Sequence, residues 1–289
     1  MNLAQIKYLC RQYGIKPSKL KGQNFLIDQS VLQKIIKAAE LKKNGYILEI
    51  GPGFGILTKE LIKTAQKVLS VELDKSLVYF LQHQFKGISN LQILPADILA
   101  IKNSELSQIL GSQDYKLVAN LPYSITKAVL RKFLSFEPKP SQIIVLVQKE
   151  VAQKILAKPG QMNILALTVL FYGQPKLIDY VAKSSFYPQP KVDSAILKIK
   201  IHKQTISDEI KKVLDKKTIA NFQEKKFWQL VKIGFSSPRK QLHNNLAAGL
   251  KLDNLQVKKI LKKNGLRQDI RPQELSLENW AYFYQQFMV

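Results

Sequence analysis

The chain has 289 residues, 46% of them hydrophobic, and its 45 Lys and Arg against 21 Asp and Glu give a net charge of +24. That length holds one large α/β domain and a small second one, and no apolar run approaches the roughly 20 residues that a bilayer-spanning helix needs. A single cysteine, Cys10, excludes an internal disulfide, and His83, His202 and His243 are too scattered for a recognisable metal site, so no metal is expected.

The charge favours a polyanionic partner, because a basic surface gains affinity by releasing counterions. Nucleic acid fits better than a membrane surface, since no segment concentrates the charge on an amphipathic helix with exposed aromatics. The first residues, MNLAQIKYLCRQYG, lack the apolar core of a secretion signal, and a cytoplasmic location is expected.

In chain order, residues 1–24 form a basic arm with Lys7, Arg11, Lys16, Lys19 and Lys21 and no acid. Residues 28–40 open with an Asp cap and carry apolar positions at helical spacing. Short β-rich runs follow at 46–50, 67–73, 91–96, 115–120 and 141–148. Between and after them ILTKELIKTA, KSLVYFLQHQF, ITKAVLRKFLSF and KEVAQKILA read as amphipathic helices. Such alternation predicts a mostly parallel sheet covered on both faces. A further helix near 162–172 precedes runs at 176–182 and 194–201, which should close one edge with one strand antiparallel, making seven strands. Past His202 the pattern is helical only, with candidates at 222–234, 238–249, 254–264 and 276–287. Gly234, Gly249 and Gly265 fall where left-handed stops are common. The polar stretch 203–221 reads as a linker. The expected division is a Rossmann-like domain over 1–202 and a linker with a small all-helical domain over 203–289.

The first strand runs into Glu49-Ile50-Gly51-Pro52-Gly53-Phe54-Gly55 and then a helix. Glycines at this turn let the backbone approach a ligand at the helix N-terminus. A dinucleotide fingerprint would need glycine where Ile56 stands, which argues against a nicotinamide dehydrogenase. An acid before G-x-G-x-G fits S-adenosylmethionine better. Glu72, closing the second strand, would accept from both ribose hydroxyls, and Asp97, after the third, from the cofactor's adenine amino group. Leu73 and Ile98, beside those acids, and Gly51 and Gly53 of the turn belong to the same expected cofactor set.

The fourth strand ends in Asn120-Leu121-Pro122-Tyr123. An adenine amino group is a poor nucleophile because its lone pair is delocalised into the ring. Acceptors for both of its N–H groups favour a pyramidal nitrogen, and the Asn120 side-chain oxygen with the Leu121 carbonyl can supply them. Pro122 stiffens the turn and Tyr123 offers a stacking face. A base held this way must be flipped out or unpaired.

Together GQNFL (22–26), EIGPGFGILT (49–58), VELD (71–74), AD (96–97), NLPYSIT (120–126), QKEVAQKILA (148–157), FYPQPKVDS (186–194) and RPQELSLENW (271–280) resemble the small-subunit rRNA adenine N6,N6-dimethyltransferases of the KsgA type over nearly the whole length. The resemblance implies a class I S-adenosylmethionine-dependent methyltransferase fold. It also implies dimethylation of two adjacent adenosines in a 3′-terminal hairpin of small-subunit rRNA, on an assembling 30S-type particle. It places Asn24, Leu26, Gly51, Glu72, Asp97 and Asn120 at the cofactor. Asn120, Leu121 and Tyr123 would hold the target adenine, with Phe186 on its other side. Lys191 and the segment Ser236–Lys240 are candidate rRNA contacts, and a monomer is expected. The chain departs from the family where Met162-Asn163 replaces Tyr-Gly, at the reduced basic helix Pro238–Gln241, and in a longer linker. The related large-subunit enzymes usually read Asn-Ile-Pro-Tyr, so Leu121 favours the small subunit. A ribosome assembly factor without catalysis is the rival from another class, which the intact cofactor turn disfavours.

Overall fold

Nine strands and fourteen α-helices are described in the computed structural model, which covers residues 1–18, 22–203 and 208–288. The strands are β1 (Phe25–Leu26), β2 (Tyr46–Ile50), β3 (Lys67–Glu72), β4 (Leu91–Pro95), β5 (Tyr115–Asn120), β6 (Gln142–Gln148), β7 (Gly173–Val181), β8 (Phe186–Tyr187) and β9 (Ser194–Ile201). The helices of the first part are α1 (Leu3–Gln12), α2 (Gln29–Ala39), α3 (Ile56–Leu61), α4 (Lys75–Gln84), α5 (Asn103–Leu110), α6 (Thr126–Ser135) and α7 (Lys149–Ile155). Then come α8 (Ile164–Tyr172), α9 (Asp208–Val213), α10 (Lys216–Ala220), α11 (Glu224–Gly234), α12 (Leu242–Leu250), α13 (Asn254–Lys263) and α14 (Leu277–Phe287).

Seven strands form one sheet in the order β4-β3-β2-β5-β6-β9-β7. The runs in β2, β3, β5 and β6 are almost continuously apolar and buried, as strands covered on both faces must be. Parallel pairing joins β4 to β3, β3 to β2, β2 to β5 and β5 to β6, and β9 runs antiparallel to β6. From β2 the chain builds outward to β3 and β4, then returns to place β5 on the other side. The carboxyl ends of β2 and β5 therefore flank the point where strand order reverses, the usual place for a ligand crevice. Gly51 follows one of these ends and Asn120 closes the other.

A separate two-stranded ribbon pairs β1 with β8 through Phe25↔Tyr187 and Leu26↔Phe186. It ties the GQNFL segment to a proline-containing loop far along the chain, a pairing with no local sequence signature. Helix α1, within the expected basic arm, is closed by a capping box: the Gln5 N–H donates to Asn2 Oδ1 and the Asn2 N–H to Gln5 Oε1, each at 2.9 Å. Helix α5 escapes sequence reading because Asn103 and Ser107 stand on its buried side, where apolar residues would mark the period. Asn103 is buried with a purpose, its Nδ2 donating to the Phe136 carbonyl at 2.8 Å.

The chain divides into two compact units, Met1–Gln153 with Gln174–Lys203, and Lys154–Gly173 with Gln204–Val289. This differs from the division near 203 that the sequence predicts, because α8 groups with the C-terminal helices. Its sequence ILALTVLFY is almost wholly apolar, and Ala166, Leu167, Val169, Phe171 and Tyr172 are buried. Phe171 packs on Phe227 and Trp228 at ring-centroid distances of 5.1 and 5.2 Å, and Tyr172 donates to Glu224. The departure at Met162-Asn163 has a local role here: Met162 is buried, and Asn163 caps α8 by accepting from the Ala166 N–H at 3.0 Å. The expected linker 203–221 contains α9 and α10, while 204–207, like Lys19 and Lys21, lie outside the described residues.

Of the three glycines that read as helix stops, only Gly265 has a left-handed backbone, with φ of 68°. Gly234 and Gly249 are helical and serve close packing instead. A Cβ on Gly234 would lie 2.1 Å from Trp280 Cη2, and one on Gly249 would lie 2.3 Å from Ile233 Cγ2. Lys251 takes the left-handed position after α12. Gly234→Ala should therefore destabilise the protein by about 1–3 kcal/mol or more through overpacking. Denaturant unfolding checks this, and an unchanged midpoint would mean that Trp280 yields at little cost.

Candidate active site

The turn after β2 carries three residues in the left-handed region, Gly51, Gly53 and Gly55, with φ of 64°, 58° and 67°. At Gly53 the missing side chain also matters for space, since a Cβ would fall 2.9 Å from Phe25 Cδ1. This turn, the ends of β3, β4 and β5, and the GQNFL segment enclose a cavity of about 240 Å³.

Two acids sit in its floor and wall. Glu49 is 1% exposed, and its Oε2 accepts from Thr58 Oγ1 at 2.7 Å and Ser70 Oγ at 2.5 Å. Its Oε1 is buried without a partner among the described residues. Desolvation pushes this carboxyl up to about 7, opposed by the two hydroxyls. Glu72 accepts from the backbone N–H groups of Gly53 at 3.3 Å and of Leu73 and Asp74 at 2.9 Å each. Burial raises its pKa as well, against these three donors, which favour the charged form.

After the neighbouring strand β4, Asp97 is exposed and accepts from the Leu99 N–H at 2.9 Å through Oδ1. The loop that carries it is clamped by Lys132 of α6, whose ammonium donates to the carbonyls of Ile98 at 2.5 Å and of Ile101. Desolvation lowers the Lys132 pKa, while Asp97 and Glu105 act to hold its charge. Leu73, 66% exposed, stands at the cavity edge as an open apolar surface.

At the end of β5 the Asn120 side chain donates through Nδ2 to the Asn24 carbonyl at 3.0 Å. Among the described residues no donor reaches Asn120 Oδ1, which remains an acceptor on the cavity wall. Tyr123 is half-buried, with its hydroxyl 2.6 Å from Ser194 Oγ.

Residues 16–285 match the family model described as ribosomal RNA adenine dimethylase. The chain belongs to that family. It is 43% identical over 279 residues to a Dehalococcoides mccartyi protein named ribosomal RNA small subunit methyltransferase A, covering 96% of this chain and 91% of the relative. A Clostridium botulinum protein of the same name is 36% identical over 277 residues, 95% of each chain. Among solved structures, the 23S rRNA methyltransferase ErmE aligns with a TM-score of 0.70 at 24% identity over 91% of this chain and 99% of that one. A Plasmodium falciparum dimethyladenosine transferase also aligns with a TM-score of 0.70 at 24% identity, over 91% and 97%. These two show the fold, the class I methyltransferase architecture with a helical C-terminal region.

The residues that the sequence singles out for cofactor and target fall on this cavity with one exception. Asn24, Leu26, Gly51, Gly53, Glu72, Leu73, Asp97, Ile98, Asn120, Leu121, Pro122 and Tyr123 all line it. Phe186 does not. It is 3% exposed and packs in the core with Leu26, Val31 and Ile35, so in this structure it supports the wall from behind instead of facing a base. The apolar ribbon partner Leu26 draws it inward, and burying its ring outweighs leaving it at the loop surface. Sequence reading missed the contribution of Glu49 as a cavity acid, Lys132 and Ser194. Glu49 was visible as the acid of the glycine turn, whereas the other two depend on contacts across the fold.

The Glu49 shift has a consequence for stability. The native carboxyl keeps its proton to higher pH than its ordinary value of 4.5. Its contribution is thus full below about pH 4.5 and lost as pH rises through about 7, of order 3 kcal/mol in all. Glu49→Gln should flatten that part of the stability profile between about pH 5 and 8. Unfolding free energies measured across this range test it, and parallel profiles for the two proteins would refute the assignment.

Proposed function

We propose that the cavity binds S-adenosylmethionine and that the enzyme uses it to dimethylate N6 of two adjacent adenosines in the 3′-terminal hairpin of small-subunit rRNA. The observation that carries the reading is the tethered amide of Asn120. With Nδ2 committed to Asn24, the free Oδ1 is fixed as an acceptor at the strand end where a flipped adenine would present its amino group.

The donor set fits the cofactor. A sulfonium ligand with an amino group is cationic, and the cavity offers the unpartnered Glu49 Oε1 and the nearby Glu72 carboxyl. Glu72 has one lone-pair position on Oε2 beyond its backbone bonds for a ribose hydroxyl. Asp97 Oδ2 is open to an exocyclic amino group, and Leu73 and Ile98 supply apolar cover for a purine ring. When bound, S-adenosylmethionine supplies an electrophilic methyl group.

The chain's own task is to position a weak nucleophile. Asn120 Oδ1 and the Leu121 carbonyl accept the two N6–H groups, turn the nitrogen lone pair out of the ring plane, and stabilise the positive charge that develops on nitrogen. Tyr123, its hydroxyl pinned to Ser194, holds a ring face for the adenine to stack on. No strong base is required, because the attacking nitrogen is neutral and the proton leaves after its acidity has risen. The excess of 45 basic over 21 acidic residues supplies the attraction to an assembling 30S-type particle. The working form is a cytoplasmic monomer.

Labelled methyl transfer to immature small and large subunits, with the product mapped by mass spectrometry, tests the reading. N6,N6-dimethyladenosine confined to the small-subunit 3′ hairpin is expected, whereas large-subunit label would overturn the substrate assignment. Asn120→Ala should lower turnover by at least about 100-fold, the scale of losing one preorganised transition-state hydrogen bond, with RNA affinity nearly unchanged. Near-normal turnover would remove Asn120 from the chemistry. Glu72→Ala should instead weaken cofactor binding by about tenfold or more, the cost of losing a buried acceptor. Calorimetric titration of the cofactor reads this directly, and equal affinity would take Glu72 out of the ribose site.

A further inference from the structure

Beyond the cavity, the same end of the sheet carries an exposed aromatic among lysines. Tyr180, on the edge strand β7, is 46% exposed although its neighbour Val181 is in the core. The Lys149 ammonium lies 5.2 Å from its ring centroid, and among the described residues Lys149 has no carboxylate partner. Lys183 and Lys191 are exposed nearby in sequence, as is the apolar Val192.

Backbone bonds draw these residues together. The N–H of Lys149 donates to the Asp193 carbonyl at 2.9 Å, and the N–H of Lys183 donates to Asp193 Oδ1 at 3.0 Å. The next residue, Ser194, holds the Tyr123 hydroxyl. Register brings the two regions close: Asn120 pairs with Leu146 and Gln148 with Ser194, so Lys149 emerges from the sheet three residues past the partner of Asn120. Of the acids of the area, Asp179 pairs with Lys34 at 2.6 Å and Glu150 has a partner of its own, while the Asp193 side chain accepts the backbone N–H of Lys183. Lys149, Lys183 and Lys191 thus stand against one carboxylate, Asp193, near an exposed ring.

We propose that Tyr180, Lys149, Lys183 and Lys191 form a second RNA subsite, in which an unpaired base flanking the target adenosine stacks on Tyr180 while the lysines meet its phosphates. The proposal rests on the rRNA substrate proposed above. Single-stranded RNA fits this chemistry better than a duplex, because a stacking face is of use only for a base that has left its helix. Lys149 over the ring in the absence of RNA keeps the aromatic face partly covered by a group that can swing to a phosphate.

The test uses the full-length enzyme with immature small subunits at varied concentration. Tyr180→Ala should raise KM for RNA about five- to a hundredfold with kcat retained, from loss of base–aromatic stacking. Affinity for S-adenosylmethionine should not change, and Tyr180→Trp should restore the RNA KM. Replacing Lys149, Lys183 and Lys191 together with Ala should reduce the slope of log affinity against log salt by about 0.7 for each phosphate that is no longer neutralised. Wild-type KM and salt slope in these variants, alongside an active parent enzyme, would overturn the subsite alone. A parent that neither binds nor methylates the subunits would overturn the rRNA reading together with it.

Discussion

The bond from Asn120 Nδ2 to the Asn24 carbonyl joins two pieces of chain 96 residues apart. It does two things at once. It sets which end of the amide faces the cavity, and it closes the GQNFL segment over the glycine turn. That segment is held again from the other side, where Leu26 pairs with Phe186, and by packing of Phe25 on Phe54 at 4.6 Å. Gly53 is needed here for space as well as for its positive φ, because the Phe25 ring comes so near. A methyl group at position 53 would meet Phe25 before any ligand did. Geometry at the Asn120 end of the cavity is therefore inherited from the packing around the GQNFL segment and the glycine turn.

Electrostatics divides the cavity in a similar way. Glu49 and Glu72 are both buried, and charge on Glu72 adds to the cost of ionising Glu49, yet the two are managed differently. Glu72 is surrounded by backbone donors and is suited to carry charge. Glu49 has hydroxyls on one oxygen and, among the described residues, no partner on the other, so a cationic ligand is the natural completion of its environment. The Asp97 loop follows the strand beside that of Glu72, and Lys132 bonds its carbonyls from within the fold. The cavity thus joins buried acids to a loop that is tied internally before any ligand arrives.

Much of this is legible in the sequence, for identifiable reasons. The sheet can be read because β2, β3, β5 and β6 are unbroken apolar runs, and the cavity because its residues sit at strand ends, where sequence position and spatial position coincide. What stays hidden depends on long-range partners or on a broken period. The ribbon β1–β8 is two residues per strand, and α5 buries polar groups. Helix α1 does carry a readable signal, the Asn2 and Gln5 box, within a stretch that otherwise reads as a basic arm. Phe186 shows the limit of a motif: the residue type is right for stacking, but only the structure reveals that its ring is spent on the core. Gly234 and Gly249 make the same point, since a glycine that ends a helix and one that admits a bulky side chain such as Trp280 or Ile233 look alike in sequence.

The grouping of residues 154–173 with the C-terminal helices means that the chain passes from one unit to the other three times, at 153, 173 and 203. Neither unit is a continuous stretch of polypeptide. A protein ended at the linker would retain α8 without Phe227 and Trp228, taking from the rings of Phe171 and Tyr172 the aromatic partners they pack on. The C-terminal helices alone would lack the part of their core that α8 contributes. Gene fragments that respect the linker would thus cut through a hydrophobic cluster. The two halves are bound to synthesis as one piece, and neither could be exchanged for a foreign module by simple joining at residue 203.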